Sequence, residues 1–335
     1  MPQVGGVFTT YQAKANREDL SNSIYNIDPF DTPVMSLARR RNVKNRTFDW
    51  QSENLPTVDP NNAQLEGFEL ARAASQPTVR LTNVTQISSR DATVSGSQEA
   101  ADAAGKGSEM GHQMALKSKV LKCDMESIMC SRQARVDGSD PGTARKTESI
   151  PHWLARAVDK AGGINGAIVG VAGAIGPTAG VPILATDPFT ATAATALTEI
   201  QIGDAMEKAY RNGGKPSKWV LPPGPKRTVS TFEGRTGSQI LVGKTEVVAT
   251  VDIIATDFGR VMAIPSLWFP AAADMSLLLD PNYLAVGFFR NFRSYQIAKI
   301  GDAETRMILA EWGVEMRNPL AHILMNGSVK GAVIT

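Results

Sequence analysis

The chain has 335 residues, 42% hydrophobic and 20% charged, which is enough apolar material for one large core or two lobes and too much for a disordered chain. A formal net charge of only +2 argues against a protein whose main task is to grip a nucleic-acid backbone, though not against one standing beside packaged DNA neutralised by small cations. The opening MPQVGGVFTTYQAKANRED lacks the charged start and apolar core of a secretory signal, so synthesis in a reducing cytoplasm is expected.

Residues 1–46 read as an arm. Asp28 and Thr32 precede prolines and are pushed to extended backbone, and a short helix is expected from Pro33 with Thr32 as its cap. Arg39, Arg40 and Arg41, with Lys44 and Arg46, close the arm. They read either as a solvated surface or as an electrostatic contact to an acidic neighbour. The next segment is acidic: between Thr47 and Gly105 stand Asp49, Glu53, Asp59, Glu66, Glu69, Asp91, Glu99 and Asp102 against Arg72, Arg80 and Arg90 alone. Charge of opposite sign in adjacent segments lets one copy dock on another with a defined orientation. Arg39, Arg40, Arg41, Glu53, Asp59, Glu66 and Glu69 are therefore the candidate inter-subunit contacts. Between Trp50 and Val79 the sequence has turn formers but little apolar periodicity, and a segment of this length with no core of its own is normally functional or disordered.

The chain is organised around Arg80 to Arg135. Its first half, with Val84, Ile87 and Val94, reads as extended. Its second half reads as a helix over 108–135, capped by Ser108 with Glu109 in the first turn and about 40 Å long. Met110, Met114, Leu121, Met125, Ile128 and Met129 fall near one face, while Lys117, Lys119, Lys122 and Glu126 fall largely elsewhere. Cys123 and Cys130 lie about 10 Å apart along such a helix, beyond the reach of a disulfide, and are expected as reduced, packed thiols.

After a turn at Gly138 to Gly142, Ile150 to Ala161 suits a short amphipathic helix. Gly162 to Pro182 is long and nearly uncharged, but its glycines, Asn165, Pro177 and Thr178 dilute the hydrophobicity a membrane span needs; a flexible or tightly packed insertion is expected. Thr195 to Asn212 reads as a helix ended by Gly213-Gly214, Trp219 to Leu221 as a buried strand, and residues 225–232 as a region that allows a helix. From Thr245 the apolar period becomes two, through Val247, Ala249, Val251 and Ile253, with a second run from Val261 to Phe269 and a hairpin turn at Thr256 to Gly259. The segment with Val286, Phe288, Phe289, Phe292 and Tyr295, and a strand from Thr305 to Arg317, are expected to pair with each other and with the stretch near Arg80 to Val94. The long helix then lies across one face, an α+β arrangement.

The chemistry-bearing motifs are weak. His112, His152 and His322 have no partners at metal-ligand spacing and read as surface or hydrogen-bonded structural histidines. Asp257-Phe258-Gly259 lacks the phosphate and catalytic loops of a kinase, and Ser95-Gly96-Ser97 lacks a nucleophile setting. No catalytic, cofactor-binding or metal-binding residue is assigned, and no cofactor is expected.

Read in order, IYNIDPFDTPVMS from Ile24, Trp50-Gln51, Glu66-Gly67, NVTQISSRDATVSGSQEA, the LKCDME run, Gly142 to Lys146, Gly213 to Pro216 and Thr256 to Gly259 resemble tailed-phage major capsid proteins of the Hong Kong 97-like fold. The resemblance runs from about Ile24 to about Gly327. It implies an N-terminal arm (1–46), an extended hairpin loop (47–82), a peripheral β-sheet lobe (83–160 and 245–335) holding a spine helix at 108–135, and an axial lobe (161–244) with the Gly/Ala-rich insertion. It also implies self-assembly into hexamers and pentamers of an icosahedral head enclosing double-stranded DNA, built in the bacterial host cytoplasm and ending in the virion. The implied partners are copies of itself, with separate scaffolding, portal and decoration proteins and packaged DNA nearby without sequence-specific binding; no membrane is involved. Two alternatives remain open at this point: a cellular nanocompartment shell, and a soluble α+β ligand-binding protein or enzyme.

Overall fold

The computed structural model describes residues 31–53, 59–69, 78–101, 105–139, 142–156, 195–230, 232, 252–270, 275–299, 301–326 and 328–329. In chain order these contain α1 (Pro33–Leu37), β1 (Arg39–Asn42), β2 (Thr47–Ser52), β3 (Val79–Val84), β4 (Gln86–Ser95), α2 (Gly96–Ala100), α3 (Glu109–Met129), α4 (Ile150–Arg156), β5 (Thr195–Ala196), α5 (Glu199–Arg211) and β6 (Lys218–Leu221). There follow α6 (Pro223–Val229), β7 (Ile253–Thr256), β8 (Gly259–Pro265), β9 (Met275–Leu279), β10 (Leu284–Gln296), β11 (Ala303–Met316), a 3-10 turn (Pro319–Ala321), β12 (Ile323–Asn326) and β13 (Ser328–Val329). The expectations for Gly162 to Pro182, for the first 30 residues and for Val247 to Val251 fall outside the described residues.

The longest strands form a sheet of order β1-β10-β11-β4. Antiparallel register sets Leu284 beside Met316, Val286 beside Val314 and Phe288 beside Trp312, so large apolar side chains meet in cross-strand pairs and are buried together. On the other side of β11, Gln86 to Ser95 pairs with Trp312 back to Ala303. The late strands thus pair with each other and with the extended stretch near residue 90, as their alternation predicts. α3 lies against β4 and β11, where Met110 and Met114 cover Ala92 and Val94.

α3 begins where expected: the Ser108 hydroxyl accepts from Gly111 N at 3.0 Å, and Glu99 takes the Ser108 hydroxyl and Met110 N. It ends at Met129, six residues short of the expected Arg135, and spans about 32 Å. No glycine or proline stops it. The Ser131 hydroxyl bonds back to Ile128 O at 2.8 Å and accepts from Gln133 N at 3.2 Å, giving the backbone a local alternative to the helical ladder. Gln133 then bonds Gln86 and Thr147 O, and Val136 bridges Lys146. Tertiary pairing takes over where helical periodicity continues on paper.

The second sheet has the order β12-β9-β6-β8-β7, with the Thr256–Gly259 pair closing the expected turn around Asp257-Phe258. The strands of residues 253–326, all expected in the peripheral lobe, are divided between two sheets. β7, β8, β9 and β12 pair into the sheet that holds β6, while β10 and β11 belong to the other. Period two explains the sharing: Val220, Leu277, Leu279 and Leu324 enter the core under the first sheet, whereas Trp219, Leu221, Leu278, Ile323 and Met325 join a second cluster under α5. α5 starts after a capping box made by Thr198 and Gln201, later than the expected Thr195, because Thr195–Ala196 pairs with Ser328–Val329. α6 starts at Pro223, two residues before the expected start, with proline in its first turn.

Gly287 and Gly313 sit directly opposite each other on β10 and β11. A Cβ at Gly313 would lie 2.6 Å from the Phe48 ring and 2.9 Å from Val84 O, and one at Gly287 would lie 2.6 Å from Val43. The absence of side chains at this pair is what lets the β2–β3 ladder close on the sheet. Gly313→Ala should therefore lower unfolding free energy by about 1–3 kcal/mol, the usual range for overpacking, read as a fall in the urea midpoint at unchanged slope; an unchanged midpoint would mean the ladder does not depend on this contact.

Candidate assembly surfaces

The extended loop stands on a built base. β2 pairs antiparallel with β3 from Thr47–Val84 to Ser52–Val79. β4 leaves β11 at Trp312, so the backbone of β11 beyond it needs other partners. The loop base and its neighbour supply them: Asn83 Nδ2 donates to Val314 O at 2.7 Å, Thr147 Oγ1 accepts from Val314 N at 3.1 Å, and Trp50 Nε1 donates to Met316 O at 2.8 Å. Phe48 and Trp50 stack at 5.8 Å, and Trp50 meets Trp153 of α4 at 5.5 Å.

Beyond this base the character of the surface reverses. Glu53 and every residue from Asp59 to Glu69 are exposed. Phe68 N donates to Leu65 O at 3.1 Å, and Gly67 has φ +78, the left-handed conformation that a type II turn needs at its third position. This turn displays Leu65, 84% exposed, and Phe68, 49% exposed, between Glu66 and Glu69. The four loop carboxylates predicted as contacts are thus all in solvent, and the sequence from 53 to 69 carries no Lys or Arg.

The three candidate arginines are not grouped in the same way. They form β1, paired in parallel with β10 at Ala285 to Gly287, with Arg39 and Arg40 exposed and Arg41 partly so. Arg39 donates to Asn282 at 2.6 Å and Arg41 to Glu315 at 2.6 Å, both within the chain, while Arg40 is exposed. Sheet pairing brings Arg39 and Arg41 each an acceptor within the chain, Asn282 and Glu315, while both side chains keep contact with solvent. Arg41 belongs to a pattern invisible in the sequence. Glu315, 3% exposed, lies between Arg41 and Arg317, and Glu311, 2% exposed, lies between Arg145 and Arg290 with the Thr85 hydroxyl at 2.8 Å.

The start of α1 and the chain just before it are held against the core. Trp268 Nε1 donates to Asp31 O at 2.6 Å. Glu126, expected on the polar side of α3, is fully buried. Its two oxygens accept Val34 N and Met35 N, each at 2.7 Å, capping the first turn of α1 where the Thr32 side chain does not. Burial pushes the Glu126 carboxyl up to about 7, against the two N–H donors that favour its charged form. Sequence periodicity missed this residue because its partners are 91 and 92 positions away.

The histidines are structural in setting. His322 is buried and accepts Asp280 N at 3.1 Å, and burial pushes it down to about 4. His152 Nδ1 lies 2.7 Å from Glu148. Both cysteines are buried and free, with burial raising both thiols. Among the described residues no group of three or more His, Cys, Asp or Glu could hold a metal, and no helix is long and apolar enough to cross a membrane.

The sequence profile of the SU10 major capsid protein family matches residues 4–328. The chain belongs to this family. It is 26% identical to the major capsid protein of Escherichia phage Phieco32, over 94% of this chain and 95% of that one. Its fold matches the capsid subunit of cyanophage A-1(L), with TM-score 0.62, 13% identity and coverage of 96% and 98% of the two chains. An encapsulin shell from Synechococcus elongatus also matches in fold, with TM-score 0.52, 8% identity and coverage of 96% and 95%. This SU10-family capsid protein has the Hong Kong 97-like α+β fold and is a structural subunit of a phage virion.

Glu126 gives a pH test of the arm contact. The folded chain holds a proton that the unfolded chain releases, so the Glu126 contribution is full below its ordinary value of 4.5 and is lost as pH rises towards 7. Relative to Glu126→Gln, which does not titrate, the wild type should lose roughly 3 kcal/mol between those limits and nothing further above them. Urea midpoints across that range measure the difference; one that stays constant with pH would contradict the buried contact.

Proposed function

We propose that the chain assembles through heterologous contacts into hexamers and pentamers that close an icosahedral head around double-stranded DNA. The observation that carries this reading is the loop beyond β2–β3. An anchored ladder holds four carboxylates, Leu65 and Phe68 in solvent, which suits contact with another copy better than packing on the chain's own core. Contacts of this head-to-tail kind close into rings when the rotation between copies closes. Each copy is then held by several neighbours, so modest interfaces become durable together. Residues 1–46 serve as an arm anchored by Glu126 and Trp268, and α5 with the second sheet serves as the axial lobe. Assembly takes place in the host cytoplasm, with scaffolding, portal and decoration proteins supplied by separate chains and with DNA enclosed but not read. The subunit's work is geometric, without a catalytic step.

A nanocompartment shell is the second reading, and it rests on the fold likeness to the encapsulin alone; the family and the curated phage relative favour the phage head. Negative-stain microscopy of the purified chain, with and without its scaffold, tests the assembly reading. Rings, sheets or shells are expected. A compact monomer or dimer under every condition would contradict it and favour a soluble binding protein or enzyme.

A further inference from the structure

The chain leaves the second sheet for the first at 280–283, between β9 and β10, and returns at 317–322, between β11 and β12. Each crossing is a tight turn of its own. Tyr283 N donates to Asp280 O at 3.1 Å, and Asp280 Oδ1 takes the N and Nδ2 groups of Asn282 at 3.0 Å each. The 3-10 turn of the return is closed by Ala321 N on Asn318 O at 3.2 Å. Hydrogen bonds then tie one turn to the other: Arg317 N donates to Tyr283 O at 2.9 Å, and Asp280 N donates to His322 Nδ1 at 3.1 Å. The first is backbone to backbone and does not titrate. The second ends on an imidazole nitrogen, which accepts only while it carries no proton.

His322 is fully buried. The segment before β6 presses on the same turn, where a Cβ at Gly214 would lie 2.7 Å from Ala321 Cα. The charged groups on the elements packed around it have other partners or face water: His152 on α4 meets Glu148, Arg211 on α5 meets Glu207, Arg317 after β11 meets Glu315, Arg39 on β1 meets Asn282, and Lys215 before β6 is exposed. Asp280 is the charge that bears on the ring. Burial pushes His322 down to about 4, against the Tyr283 backbone and the Asp280 carboxylate, which both favour its proton. We propose that His322 is a proton-released clasp at the joint between the two sheets: neutral, it ties the two crossings together, and protonated, it turns a donor on the Asp280 N–H and lets them part. Crossings that part let the sheets change their relative angle, as hinges at element ends do. The folded value lies below the ordinary 6.5, so the clasp contributes in full above 6.5 and is lost as pH falls towards 4. The device belongs to the single subunit and does not rest on the assembly reading.

Two measurements on the free full-length subunit test it. With 15N-labelled histidine, the wild-type His322 ring should carry no proton on Nδ1 at neutral pH and should titrate with a midpoint of about 4. Hydrogen exchange, corrected for the intrinsic pH dependence of amide exchange, should show the protection of 280–283 and 317–322 falling together by roughly a hundredfold between pH 7 and pH 4. The paired stretches Leu284–Phe288 and Trp312–Met316 should keep theirs. His322→Asn offers an amide oxygen to the Asp280 N–H and does not titrate, so protection of both crossings in this variant should be independent of pH. Wild-type protection that stays constant across this range, an equal loss in His322→Asn, or a ring protonated on Nδ1 at neutral pH would overturn the clasp.

Discussion

The structure depends on how the open edge of β11 is completed past Trp312. β4 stops there, and the remaining backbone groups are taken by Asn83, Thr147 and Trp50 while Phe48 settles on the bare Gly287–Gly313 pair. Backbone donors and acceptors buried without partners would be strongly unfavourable, so this substitution of side chains for a strand is a condition of the fold. It also has a mechanical consequence. The β2–β3 ladder is tied to the longest of the described strands, so the segment beyond it leaves the ladder at a fixed place.

The same strand carries the charge organisation. The buried carboxylates of Glu311 and Glu315 need partners, and the four arginines around them come from β1, the segment after α3, β10 and the residue that follows β11. The two acids therefore gather parts of the chain as much as 274 residues apart. Glu126 does the equivalent on the other side of the core by holding α1 against α3. α1 and the β2–β3 ladder are each fastened by groups that cannot move without exposing buried polar groups or backbone.

Much of this frame is legible in the sequence where a local rule and tertiary packing agree. The cap at Ser108, the turn at Thr256 to Gly259 and the alternation in Ile308 to Met316 each state a local preference that the fold keeps. Legibility fails where a distant partner decides. Lys122 and Glu126 lie one turn apart on the same side of α3, yet Glu126 is buried against α1 and Lys122 is exposed. Arg40 and Arg41 are neighbours, yet only Arg41 meets Glu315. The helix α3 stops at Met129 because Ser131 and Gln133 find other partners, and no composition change marks the division of residues 253–326 between two sheets. The exposed loop carboxylates were legible for the opposite reason, since a segment without a core leaves its charges in water.

Hydrogen exchange on free subunits and on assembled particles tests most directly whether a fixed root presents an outward loop to a neighbour. In the free subunit, amides of Thr47–Ser52 and Val79–Val84 should exchange nearly as slowly as those of Ala303–Met316, while residues 59–69 exchange fast and slow down only on assembly. Slow exchange at 59–69 in the free subunit, or fast exchange at the ladder, would contradict the account.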